Sequence, residues 1–240
     1  MKTIGMLGGL SWESTALYYE TINQEIKHRF GELHSARINL HSMNFAEIEI
    51  LLKQKNWSSI TDKLVSQALL IESSGADFLM ICNNTLHHVA HEIDKAITIP
   101  LLHITDVTGA QLLKDKINCV GLLGTKQTME LGFYKDRLKD KFGLQVLTPQ
   151  IKERETLQNI IFGELCIGEI NESSRIKAIN IINNLVKDGA QAIILGCTEL
   201  PLLLQEDHTE TPLYDTSQLH SHAAVSIAIN RTKEVRDEAK

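Results

Sequence analysis

The chain has 240 residues, of which 43% are hydrophobic, 22% charged and 5% aromatic, the composition of a globular protein with enough length for one large core or two small ones. A net charge of −6 excludes a dominant phosphate-backbone partner, which needs concentrated Lys and Arg, and no apolar run reaches the 18 residues of a membrane span. The four cysteines, at 82, 119, 166 and 197, lack C-x-x-C spacing and are too few for a disulfide framework; with no signal-peptide pattern in Met1–Gly5, a reduced, cytoplasmic protein is expected.

Taken in chain order, short apolar runs bounded by Gly or Asn predict strands at about 3–7, 36–41, 78–82, 118–122, 144–148 and 192–196. Between them, periodic segments near 12–29, 58–73, 86–95, 126–141, 151–166, 174–187 and 216–235 predict helices. Continuous apolar runs fit parallel strands covered on both faces, and strand–helix alternation predicts βαβ units with right-handed crossovers. The polar tail from Arg231 to Lys240 is expected to fray.

Two internal matches organise these elements. Gly75-Ala76 leads through Phe78-Leu79-Met80-Ile81 to Cys82-Asn83-Asn84-Thr85. Gly189-Ala190 leads through Ala192-Ile193-Ile194-Leu195 to Gly196-Cys197-Thr198-Glu199, at a constant offset of 114 that sets Asn83 against Cys197. Thr3–Gly8 resembles Cys119–Gly124 at an offset of 116. The pattern predicts an α/β fold of two similar, pseudo-symmetric, doubly wound domains, each with a mostly parallel sheet and with the active site in the cleft between them. The expected lobes are 1–115 and 116–240, with the helix after about 216 packing back on the first. Ligands of open α/β sheets bind beyond the carboxyl ends of strands, which directs attention to the loops 8–15, 83–88, 124–129 and 197–201.

Cys197 ends a strand-like run and precedes Thr198-Glu199, where a helix can begin. A thiol at a helix N-terminus has a lowered pKa and suits a general base or nucleophile, whereas a small buried residue at a strand end is the plainer reading. Asn83-Asn84-Thr85 can hold a carboxylate beside backbone N–H groups, and the same residue types also serve as caps and turns. Cys82 alternates away from this position, and Cys119 and Cys166 are expected to fill core. His87 and His91 stand one helical turn apart without a nearby carboxylate or thiolate, so no metal site is expected. The glycines of Gly5-Met6-Leu7-Gly8-Gly9-Leu10-Ser11 lack G-x-G-x-x-G order and the Lys of a P-loop, and backbone approach to a small anion accounts for them better than a nucleotide does.

Taken together, Ile4–Thr15, Asn83-Asn84-Thr85-Leu86-His87, Leu123–Met129, Gly196-Cys197-Thr198-Glu199-Leu200 and Asp215-Thr216 resemble the aspartate/glutamate racemase superfamily, near its aspartate racemase and broad-specificity amino-acid racemase branch. The resemblance implies two similar α/β domains, no cofactor, a homodimer, and an amino-acid or dicarboxylic-acid substrate. It also implies two cysteines that exchange the α-proton on opposite faces. It places Cys197 at the second cysteine and Asn83 at the first, where a carboxamide is no acid or base near neutral pH. Asn84, Thr85, Thr125, Thr128 and Thr198 match substrate-holding positions, joined by Gly9, Leu10, Ser11 and Glu199. Glu164-Leu165-Cys166-Ile167-Gly168 sets Ile where aspartate-selective members carry Lys. The expected function is a cofactor-independent racemase of aspartate, glutamate or a similar small amino acid, slow or one-directional. The alternatives are a single-cysteine decarboxylase or isomerase of the same fold and a non-catalytic carboxylate-binding protein.

Overall fold

The structure, a computed structural model, describes residues 1–229, so the last part of the helix predicted near 216–235 and the tail from Arg231 lie outside the described residues. The chain divides into two compact units, one formed by Met1–Ile104 with the residues from Ser217 onward, the other by Thr105–Thr216.

The first unit alternates β1 (Ile4–Gly8), α1 (Trp12–Phe30), β2 (Ile38–Ser42), α2 (Phe45–Lys53), α3 (Trp57–Ser73), β3 (Phe78–Ile81), α4 (Ala90–Ala96) and β4 (Leu101–Leu102). The second runs from α5 (Ile104–Lys114) through β5 (Cys119–Gly124), α6 (Lys126–Glu130), α7 (Gly132–Phe142), β6 (Gln145–Leu147), α8 (Ile151–Gly163), α9 (Glu172–Lys187), β7 (Ala192–Gly196) and α10 (Leu200–Leu203) to β8 (Leu213–Asp215). From there α11 (Thr216–Ile229) returns to the first unit.

All strand pairs are parallel, and the two sheets have the same order, β2-β1-β3-β4 and β6-β5-β7-β8. The repeat read in the sequence is therefore a repeat of topology. Both faces of each sheet are covered, as apolar strands without polar alternation require. In the first unit Ile4, Met6, Phe78, Met80 and Cys82 pack with Tyr18, Ile22 and Ile26 of α1 and Ala224, Val225 and Ala228 of α11. Leu7, Leu79 and Ile81 face the other way, onto Ile48, Ile60, Leu64 and Ile71. In the second unit Ile193, Leu195 and Cys197 share one face with Leu157, Ile160, Ile161, Ile181 and Leu185. Each fully buried side chain of this kind contributes about 1.5–3 kcal/mol.

The period of two fixes which residues emerge at the strand ends. Leu79 and Ile81 on β3 correspond by the repeat to Ile193 and Leu195 on β7, so Asn83 follows its strand in the same phase as Cys197. Cys82 points the opposite way and is fully buried against α1 and α11. The segments β4, β8, α2, α5 and α10 were not among the predicted elements, and the helix predicted near 126–141 is two, α6 and α7. The predicted helix near 86–95 is a 3₁₀ turn, Thr85–Val89, running into α4, and that near 151–166 closes with a second such turn, Leu165–Ile167.

Candidate active site

In the first unit the candidate residues lie at the carboxyl ends of the adjacent strands β1 and β3. After Gly8 the chain turns sharply at Gly9, whose φ of +74° lies in the left-handed region. A Cβ there would sit 2.2 Å from the carbonyl oxygen of Met43, so the missing side chain makes room for the protein's own backbone. The fold alone thus requires a glycine here, whatever the turn binds. Ser11 also has positive φ, +79°, a conformation that costs a non-glycine residue about 1–3 kcal/mol and concentrates at functional loops. It is held there by local bonds. Ser11 Oγ accepts from the Ser14 N–H and caps α1, while Gly9 N–H donates to Thr15 Oγ1 (2.9 Å), which donates to the Ser11 carbonyl (2.9 Å).

Asn83 locks this loop to the next. Its Nδ2 donates to the Leu10 carbonyl at 2.8 Å, and its Oδ1 accepts from the Leu86 N–H at 3.0 Å. Its own carbonyl faces His87 Nδ1 at 2.7 Å. Because the Ile104 N–H donates to His87 Nε2 (3.2 Å), the His87 proton resides on Nδ1 and is donated to Asn83. His87 is thus the orienting residue of this loop, with His103 4.6 Å away between ring centres, whereas His88 lies against the Trp57 ring. Asn84 and Thr85 begin the 3₁₀ turn and are buried, and Leu10 turns its side chain into the core.

In the second unit the candidates lie at the ends of β5 and β7, paired so that Gly124 stands opposite Gly196. A Cβ on Gly124 would meet the Gly196 carbonyl at 2.8 Å, so bare backbone lets these two strand ends approach. Thr125 caps α6 by accepting from the Thr128 N–H, and the two hydroxyls are 3.1 Å apart. Thr128 is fully buried behind Thr125, which keeps a small exposed surface. The Cys197 thiol donates to Glu199 Oε2 at 2.9 Å, and the Thr198 hydroxyl donates to the same oxygen at 2.9 Å.

This geometry corrects the expectation of an acidified thiol. The helix after Cys197 begins only at Leu200 and spans four residues, too short for a strong terminal dipole. Burial pushes the Cys197 thiol well above its ordinary value, and the adjacent Glu199 carboxylate raises it further. Glu199, expected to hold substrate, is the group in contact with the sulfur. Cys82 is pushed up by burial alone. Cys166 does not fill core as expected: it is exposed on the Leu165–Ile167 turn, and Cys119 is only half-buried at the start of β5. Each unit carries its own half of the set, Gly9, Leu10, Ser11, Asn83, Asn84 and Thr85 in one, and Thr125, Thr128, Cys197, Thr198 and Glu199 in the other. Sequence reasoning missed Met43, which shapes the Gly9 turn, and no local motif marks it.

Comparison with known proteins agrees with this framework. The chain is 43% identical to a candidate Asp/Glu racemase from Yersinia pestis, which it matches over 96% of its own length and all of the other, with a TM-score of 0.91. An aspartate racemase homologue from Pyrococcus horikoshii OT3 is 32% identical over 95% of this chain and 99% of its own, with a TM-score of 0.81. The broad-specificity amino-acid racemase RacX of Bacillus subtilis is 27% identical over 164 residues, 68% of this chain and 70% of the relative. The family profile of the Asp/Glu/hydantoin racemases matches residues 7–224, nearly the whole described chain. With two parallel sheets of the same strand order, polar loops at equivalent strand ends and a thiol on one of them, the chain belongs to the Asp/Glu/hydantoin racemase family.

Proposed function

We propose that this chain is a cofactor-independent amino-acid racemase acting on aspartate, glutamate or a similar small amino acid, with Cys197 as the thiol that exchanges the α-proton on one face of the α-carbon. The observation that carries the reading is the Cys197–Glu199 pair. A buried thiol with a raised pKa is a poor base, but the carboxylate 2.9 Å away gives its proton a destination. In the forward step the thiol proton passes to Glu199, and the thiolate then takes the Cα proton and leaves a planar carbanion. Glu199 is only partly buried, so it can exchange its proton with water. Thr125 and Thr198, with Asn84, Thr85 and the Gly9–Ser11 backbone, are the groups assigned to the substrate carboxylate and ammonium; Thr128 positions Thr125.

Racemisation also needs a proton delivered to the opposite face. Asn83 cannot supply it near neutral pH, and both polar atoms of its amide are already engaged, with Leu10 and Leu86. Return of the proton is left to water, so the reaction is slow or favours one direction. The proposed setting is a cytoplasmic homodimer.

Proton NMR in deuterated water with paired L- and D-amino acids reads Cα–H loss separately for each enantiomer. Cys197→Ala is expected to abolish exchange of the faster enantiomer; exchange at the wild-type rate would remove Cys197 from the mechanism. The commitment of the Asn83 amide also favours a second reading, single-thiol proton transfer in decarboxylation of a malonate-type acid. Turnover of such an acid with no exchange of any amino acid would select it. Ligand-induced thermal stabilisation without any turnover would instead indicate a carboxylate-binding protein.

A further inference from the structure

Two buried histidines, far apart in the sequence, hold the same three-residue segment of the first unit. His87, in the Thr85–Val89 turn, accepts from the Ile104 N–H at Nε2 (3.2 Å) and donates from Nδ1 to the Asn83 carbonyl (2.7 Å). His220, on α11, donates from Nε2 to the Leu102 carbonyl (2.8 Å) and accepts from the Tyr18 hydroxyl at Nδ1 (3.3 Å). Between Leu102 and Ile104 stands a third histidine, His103, whose ring centre lies 4.6 Å from that of His87; the His220 ring meets His87 edge-on at 5.9 Å. All three rings are buried.

These ties reach the candidate loops of the first unit from two directions. His87 fixes the Asn83 carbonyl, and the Asn83 side chain in turn fixes Leu10 and Leu86. Tyr18 lies one helical turn beyond Ser14 and Thr15, the residues that hold the Gly9–Ser11 turn. Both ring nitrogens of His87 and of His220 are bonded, so each ring has one tautomer, and neither can turn without leaving a buried polar group unpaired. Ile104 is the last residue before the chain passes to the second unit, and the chain returns at Ser217, three residues before His220. The strand that leads into this segment, β4, has only two residues, so side-chain bonds supply the fixing that a longer ladder would give.

We propose that His220 is a positioning residue for the reaction: by fixing Leu102–Ile104 it sets the anchor from which His87 holds Asn83, Asn84 and Thr85 in the shape that receives substrate. It acts through His87 rather than on substrate. Its kinetic consequence rests on the racemase reading, whereas the ordering of the loop can be read without turnover.

His220→Phe keeps an aromatic ring and loses both bonds. It is expected to raise KM for Cα–H exchange about tenfold and to change kcat by less than about threefold, since the disturbed groups hold substrate while the proton-abstracting thiol belongs to the second unit. Alkylation of Cys197 should keep its wild-type rate, and amide hydrogen exchange at Leu86 and Ile104 should speed up about tenfold. His220→Gln, which retains a donor for Leu102, is expected to bring KM back to within about threefold of wild type. Tyr18→Phe removes a single hydroxyl, the milder test of the same ring, and is expected to raise KM about threefold. Combining His220→Phe with His87→Gln should raise KM no further than the worse single variant does, because the two act in one chain of contacts. Wild-type KM with wild-type protection at Leu86 and Ile104, in His220→Phe or in Tyr18→Phe, overturns the role, as does a double variant whose KM increases multiply. Equal losses in kcat and in Cys197 alkylation would mark a general loss of structure and overturn it too. If wild type exchanges no amino acid the racemase reading falls, and faster hydrogen exchange at Leu86 and Ile104 in His220→Phe still upholds the positioning of the loop; unchanged hydrogen exchange then overturns both.

Discussion

At the scale of single residues, the chemistry depends on where the Cys197 proton goes. Glu199 raises the resting thiol's pKa yet is the acceptor that a proton-abstracting thiolate needs, so its removal should move two observables in opposite directions. Glu199→Gln takes away a neighbouring negative charge and is expected to speed alkylation of Cys197 at pH 8. The same change should slow Cα–H exchange by about 10²–10⁴-fold, the usual worth of a general acid–base group. If both rates fell together, loss of structure would explain the variant better than loss of a relay. Asn83 yields a second opposed pair. Replacing it by Cys removes the bonds to Leu10 and Leu86, and at about 0.5–1.5 kcal/mol each this should cost about 1–3 kcal/mol in a denaturant titration. The new thiol is expected to speed exchange of the enantiomer that wild type handles slowly. An Asn83→Cys protein that was less stable but unchanged in its enantiomer ratio would show that Asn83 is a loop tie and nothing more.

At the scale of elements, α11 is tied into the first unit by a histidine. His220 Nε2 donates to the Leu102 carbonyl at the end of β4 (2.8 Å), and its Nδ1 accepts from Tyr18 of α1 at 3.3 Å. The ring is fully buried, and burial pulls its pKa from 6.5 down to about 4 despite the carbonyl contact, which favours the charged form. The sign follows from linkage: between these values the unfolded chain binds a proton that the folded one does not. Stability contributed by neutral His220 is therefore whole above pH 6.5 and drains away as pH falls toward 4, by at most about 3 kcal/mol at 1.36 kcal/mol per pH unit. His220→Gln, which keeps a donor for Leu102, should flatten urea-unfolding stability across that window; an unchanged slope would assign the acid sensitivity elsewhere.

The return of the helix after about 216 to the first unit was expected from the sequence, but the side chains it meets and the short elements were not legible. β4 and β8 have two and three residues, below the length at which an apolar run stands out, and they exist because a neighbouring strand offers a ladder. The α5 sequence, with Thr105, Val107, Thr108 and Gly109, weakens a helical reading; Gly109 is there because a Cβ would lie 2.5 Å from the Phe142 ring. The long apolar strands and the phase of Asn83 and Cys197 were legible because period two follows from backbone geometry alone. The thiol's environment was not, since it depends on the side chain two residues on and on a turn 31 residues earlier in the chain.

At the scale of the whole molecule, sequence halves and structural units do not coincide. The helix after the fourth strand of the first sheet, α5, belongs to the second unit, and the helix after the fourth strand of the second, α11, belongs to the first. The first core is thus completed by a segment from the other side of the repeat. The first unit's core draws Ala224, Val225 and Ala228 from α11 against Ile4, Met6, Tyr18 and Met80, all fully or nearly fully buried. A chain stopped after Asp215 retains every strand of both sheets and still loses one wall of the first. Losing Val225, worth about 1.5–3 kcal/mol, together with two smaller buried alanines and the His220 bonds removes a large share of the 5–15 kcal/mol by which such proteins are stable. The truncated chain is expected to lose hydrogen-exchange protection in β1 and β3 while β5 and β7 remain protected. Val225→Asp tests the same wall without deletion, since a carboxylate at a position with no exposure lacks a partner in the cluster around it, and the same strands should lose protection. Protection lost evenly over both sheets would mean that the two units unfold as one, and protection retained in β1 and β3 would mean that α11 is dispensable to the first core.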